Sequence, residues 1–218
     1  MQITVLGRHT YRVPPETGLV SLSLDAEAGS AREATAAASD LADEVAHALA
    51  ELAAPSGPVS FHSVGALTTS SWRPSAPDGT PLPPRHHAGV PVRARFTDVT
   101  ALAAFVSTWA LRDGCQLHGV EWELTDATRD RLDSEALTSA VEDARRRAAI
   151  IARAAGAAEV VPVGFRDPNV AAHPQPLAER AMFALSADLS GGPSPLLAED
   201  IVGQVTIEAT YETGTVAP

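Results

Sequence analysis

The sequence contains no lysine: all 16 basic residues are arginine, set against 27 acidic ones, for a formal net charge of −11. Proteins that bind polyanions concentrate Lys and Arg to release phosphate counterions. No long basic stripe runs through this chain, so nucleic acid is not an expected partner. Together with the heavy use of Ala and Pro, the missing lysine reads as the mark of a GC-rich genome. Cysteine is almost absent too. Cys115 stands alone, which excludes an intrachain disulfide and any metal site built on a cysteine cluster. Set beside Gly114, just ahead of a strand, it reads as a small buried hydrophobe. No apolar run approaches the ~18 residues of a membrane span. The opening MQITVLG is a strand pattern without the basic start, apolar core and cleavage site of a secretory leader. A cytoplasmic location is therefore expected, with export as the alternative if a leader has been trimmed.

Catalytic signatures are missing as well. No G-x-S-x-G elbow accompanies the hydroxyl run Thr68-Thr69-Ser70-Ser71 or the serines at 190–194. No G-x-G-x-x-G follows a strand, so a dinucleotide fold is not supported. No catalytic residue and no cofactor is expected.

What is present is clear periodicity. Residues 2–8 read as a short strand, and Pro14-Pro15 ends it. Val20, Leu22, Leu24 and Ala26 alternate with Ser21, Ser23, Asp25 and Glu27, a half-buried strand of period two. Ser30 and Glu33 have capping-box spacing and should open a helix. Its apolar stripe runs through Ala34, Ala38, Leu41, Val45, Ala48, Leu49 and Leu52. Residues 59–72 read as one longer strand. A Pro-rich loop over 73–85 around Asp78-Gly79 leads to a return strand at 89–97. Asp98 can cap a second helix over 99–111. A strand at 120–124 then feeds a long helix that closes at Gly156. That helix carries a stripe of Leu137, Ala140, Val141, Ala144, Ala148, Ile151, Ala152 and Ala155. Small side chains let a helix lie close on a sheet, and alanine has the best helix propensity. A strand at 160–165, an irregular stretch over 167–195 with one helical turn near 178–185, and a final strand through Val205, Ile207, Ala209 and Tyr211 complete the chain.

The fold class read from this order is α+β. A ferredoxin-like βαββαβ core is joined by a long third helix and terminal antiparallel strands. The organisation is one domain over 1–218. Its finer division is two lobes: the core at about 18–126, and a second layer from 1–17 with 127–218.

Four stretches carry a resemblance: VSLSLDAEAGSAREATAAASDLADEVAHAL, GVPVRARFTDVTALAAFV, GVEWELTDATRDRLDSEALTSAVEDARRRAAIIARAAGA and VGQVTIEATYE. In this order they resemble the SIMPL-domain proteins, a bacterial family of largely unknown function. The resemblance implies an α+β fold, ring-like homo-oligomers and frequent residence in the periplasm or at the cell surface. It supplies no catalytic residues.

Two places are candidate sites. His62, His86 and His87 flank the long hairpin and could offer three imidazoles to a divalent metal. Adjacent residues on a strand point to opposite faces, however, so His86 and His87 cannot both join His62 on a regular strand. Trp72, at the mouth of the Pro-rich loop, is an interaction candidate as an exposed aromatic anchor. Glu121 and Glu123 on one strand, and Arg93 and Arg95 on another, would set register if their strands were neighbours. If not, they could meet another subunit. The function expected is a non-enzymatic, self-associating assembly or interaction module, with a protein partner that the sequence does not identify. The alternative is a small-molecule or metal-binding, stress-related protein using the hairpin mouth near His62, His86 and His87.

Overall fold

A computed structural model describes residues 1–168 and 198–213. The elements run β1 (Gln2–Val13), β2 (Thr17–Ala28), α1 (Ala31–Leu52), β3 (Val59–Val64), β4 (Thr68–Trp72), β5 (Arg85–Phe96), α2 (Val99–Trp109), β6 (Cys115–Glu123), α3 (Asp126–Ala154), β7 (Val160–Arg166) and β8 (Ile201–Thr213). Among the described residues all strand pairings are antiparallel, and together with the helices α1, α2 and α3 they make the fold α+β. Two compact units form, one from β1, α3, β7 and β8, the other from β2 to β6 with α1 and α2. The helical turn expected near 178–185, the serines at 190–194 and His173 lie outside the described residues.

In the second unit the strand order is β3-β5-β2-β6, with β4 also paired to β5. The first strand of each βαβ half, β2 or β5, lies between the two strands of the other half, as a ferredoxin-like βαββαβ order requires. Both helices cover one face. Val20, Leu22 and Leu24 of β2 and Val90, Val92, Ala94 and Phe96 of β5 pack with Val45 and Leu49 of α1 and Leu102 and Phe105 of α2. Trp109 and Trp122 are buried in this core, as their faces imply. The expected caps form. Ser30 Oγ accepts from Glu33 N at 3.3 Å, and Asp98 Oδ1 accepts from Thr100 N at 2.7 Å and Ala101 N at 3.2 Å.

The single strand expected over 59–72 is two strands, and Pro91 is the reason. Its carbonyl accepts from Gly65 N at 2.8 Å, so that edge of β5 faces the β3–β4 chain. Proline has no N–H to return there. The ladder breaks between Val64, opposite Val92, and Thr68, opposite Gly89, with an extra residue looped out between them.

In the first unit the order is β1-β8-β7. β1 and β8 stay in register for twelve pairs, from Gln2 opposite Glu212 to Val13 opposite Ile201. α3 lies on this sheet. Its buried residues are Leu132, Ala136, Ala140, Ala144, Ala148 and Ala152, after Leu132 a ladder of alanines every four residues. The stripe read from the sequence was broader. Ala140, Ala144, Ala148 and Ala152 face inward as expected, whereas Leu137 and Ile151 are exposed and Ala155 is the exposed C-cap. A row of i±4 positions is a narrow ridge inclined to the helix axis. Only that ridge touches the sheet here, because the approach is so close. A Cβ built on Gly7 would stand 1.9 Å from the Ala140 carbonyl oxygen and 2.8 Å from Ala144 Cβ.

Asp143, on the flank of the ridge, accepts from Arg8 N of β1 at 3.1 Å. β1 is an edge strand, and this carboxylate satisfies one of its outward N–H groups. Asp143 also pairs with Arg146, and with Arg147 at 3.8 Å. The Arg8 amide foremost holds its carboxyl below the usual value; burial opposes this, and the Arg146 and Arg147 guanidiniums add to the lowering.

Candidate functional site

The face of the five-stranded sheet opposite α1 and α2 is where charge and exposed aromatics gather. Alternation dictates it. With Val20, Leu22 and Leu24 turned to the core, β2 must present Leu19, Ser21, Ser23 and Asp25 on the other side. On β5 the same parity presents His87, Gly89, Arg93 and Arg95. The registers place Asp25 opposite Gly89, Ser21 opposite Arg93 and Leu19 opposite Arg95.

One polar cluster lies at the Gly89 end. His87 Nε2 is 2.9 Å from Asp25 Oδ1, and Ser23 Oγ donates to Asp25 Oδ2 at 2.6 Å. Gly89 makes this possible, because a Cβ there would stand 2.7 Å from Asp25 Oδ1. The backbone of Asp25 is fixed as well. Its N–H donates to the Gly114 carbonyl at 2.6 Å, and Gly114 turns into β6 with φ +84. A serine nucleophile needs its hydroxyl on the imidazole, with the carboxylate behind it. Here the carboxylate sits between the two. The arrangement clamps β2 to β5 and does not activate Ser23.

A second group crosses the sheet. Arg95 Nε donates to Glu123 Oε2 at 2.8 Å, and its guanidinium carbon lies 5.8 Å from the centre of the Phe61 ring. Phe61 on β3 is opposite Arg95 and remains 45% exposed. Trp72, the interaction candidate, ends β4 opposite Arg85 at 43% exposure.

The three histidines are not brought together. His62 is opposite the fully buried Ala94 and so points to the helix-covered side. His87 is opposite Ser70 on the other side. Seven residues of β5 separate the two positions, roughly 23 Å at ~3.3 Å per residue. His86 points away from His87. Among the described residues no three His, Cys, Asp or Glu side chains are grouped to hold a metal ion. Cys115 is half-buried and not fully enclosed. Burial raises its thiol pKa, against the opposing charge of Arg112.

The Asp25 cluster was missed by sequence reasoning. Its signal was there in part, since Ser21, Ser23 and Asp25 share the polar parity and Gly89 interrupts an apolar strand. What was lacking was the register that puts Gly89 opposite Asp25.

The molecule is thus an α+β protein with one helix-covered sheet face and one charged, partly aromatic face. The family model SIMPL, described as a protein of unknown function (DUF541), matches residues 3–211, and the chain belongs to that family. No curated protein sequence matches it. Among the described residues no helix is long and apolar enough to cross a membrane.

Proposed function

We propose that this protein is a self-associating assembly module whose work is done by surfaces and not by a chemical step. The observation that carries the reading is the one-sided sheet. α1 and α2 cover one face, while the other exposes Phe61 beside charges of both signs. An antiparallel sheet can leave one face to water, but exposed aromatics flanked by arginine are the composition of protein interfaces. The Asp25–His87 clamp and the Arg95–Glu123 bridge pre-order side chains on that face, which lowers the ordering cost of association.

Sedimentation velocity over a wide range of protein concentration tests the reading. Species heavier than 22.6 kDa, with a population that rises with concentration, are expected. A single 22.6 kDa species at millimolar concentration would sink it.

A further inference from the structure

Resting on that reading, we propose that the open face of the five-stranded sheet joins two copies of this chain, with Arg93 of each copy paired to Glu121 of the other. The charges on this face are sorted by strand. β5 presents Arg93 and Arg95, and β6 presents Glu121 and Glu123. β2 runs between them and, in these rows, presents the uncharged Leu19 and Ser21; its Asp25 lies further along, held by His87. Arg95 and Glu123 neutralise each other within the chain. Among the described residues, Arg93 and Glu121 form no ion pair within the chain, and Arg93 is exposed.

This pattern is self-complementary. When two such sheets stack face to face about a two-fold axis lying along β2, each β5 falls over the other copy's β6. Basic strand then meets acidic strand twice, as an isologous contact requires. The rows leave Arg93 one step from Glu121, and the other copy's Arg95, which falls in Glu121's own row, is already held by Glu123 of its own chain. Arg93 shares its row with Ser21 and Gly119, while Glu121 lies in the next row with Leu19 and Arg95. Gly119 has no side chain, so an arginine arriving over β6 in that row finds space. Glu121 is then about 7 Å further along the strand, within reach of a guanidinium spanning stacked sheets ~10 Å apart. An unrelated partner would have to reproduce both stripes, whereas a second copy carries them by symmetry.

Charge reversal on the full chain tests this. By sedimentation velocity, Arg93→Glu alone and Glu121→Arg alone should each weaken self-association ~10-fold or more, because each creates like-charge contacts at two symmetric places. The double reversal, and an equimolar mixture of the two single variants, should restore association to within about threefold of the parent. Circular-dichroism melts at concentrations low enough that every variant is monomeric should be unchanged, since neither side chain carries an ion pair inside the chain and association, which would itself raise the melting point, is then absent. If the parent associates and the single reversals do not disturb it, the open face is not the contact and this inference fails while self-association stands. If the singles dissociate and the double reversal does not recover, the Arg93–Glu121 pairing is wrong. If the parent is monomeric throughout, both proposals fall.

Discussion

Arg95 and Glu123 form an ion pair across a strand that separates them. Arg95 is opposite Leu19 and Glu123 is opposite Thr17, so the bridge passes over β2. With Phe61 against the other flank of the guanidinium, one side chain links the outer strands of the sheet over its centre. Arg95→Ala should cost roughly 1 kcal/mol in urea unfolding, combining a screened pair, a weak cation–π contact and a buried stem. A double-mutant cycle with Glu123→Gln should show a coupling of about 0.5 kcal/mol that shrinks in 1 M salt. Zero coupling at low salt would mean the bridge does not form in solution.

Gly89→Ala should break the Asp25–His87 contact. The new methyl would stand 2.7 Å from Asp25 Oδ1 and 3.2 Å from His87 Cε1, so the carboxylate must swing away. The expected cost is about 1–2 kcal/mol, the scale of one part-buried, charge-assisted hydrogen bond. The side-chain NMR signal of His87 should move toward that of a free imidazole. If that signal does not move, the glycine is not what permits the contact.

Gly7→Ala should be far more damaging than a single methyl suggests. The obstacle is the backbone carbonyl of Ala140, with Ala144 beside it, and neither can rotate out of the way. α3 must lift from β1, at a cost on the order of 3 kcal/mol or more. Hydrogen exchange should then rise across β1 and α3, with little change in β2 or β5. Protection equal to the parent's would show that α3 does not seat on Gly7.

Asp143 gives a pH dependence of known sign. Its carboxyl titrates below the usual value, so the folded form binds the proton more weakly than the unfolded chain does. Its stabilisation is complete above the unfolded value of ~3.9 and is lost as pH falls through the folded one. Asp143→Asn should be about 0.5 kcal/mol less stable at pH 7, the scale of a screened surface carboxylate. The gap should close as the pH drops below about 4. A gap that persists at pH 2 would place the effect in packing and not in charge.

Local chemistry was legible where it is written in adjacent residues. Ser30 with Glu33, and Asp98 ahead of an apolar run, announce helix starts because a cap needs only a side chain and an amide two or three residues away. The alternation around Val20–Leu24 and Val205–Tyr211 gave the correct buried faces for the same reason. What required distant partners was not legible. The break near Gly65 depends on Pro91 lying across the ladder, and the Asp25 clamp depends on Gly89 arriving opposite. The bridge from Arg95 to Glu123 depends on β2 being narrow enough to reach over. The inward set of α3 was half right, because helical periodicity gives a face but not how much of it a glycine-opened surface will touch. The histidines at 62, 86 and 87 looked close along the hairpin. The hairpin register sets His62 opposite Ala94, far along β5 from His86 and His87, and strand parity turns His86 and His87 to opposite faces.

The long β1–β8 pairing dictates an order of events during synthesis. Every strand and helix of the five-stranded sheet lies between Thr17 and Glu123, so that half can fold as soon as it leaves the ribosome. β1 is made first, yet its hydrogen-bonding partner starts nearly two hundred residues later, at Ile201. Such a distant closure is intrinsically slow. Until it happens, Ile3, Val5 and the alanine ridge of α3 are left without their seat, and a nascent chain stalled before β8 offers chaperones and proteases a bare, sticky edge.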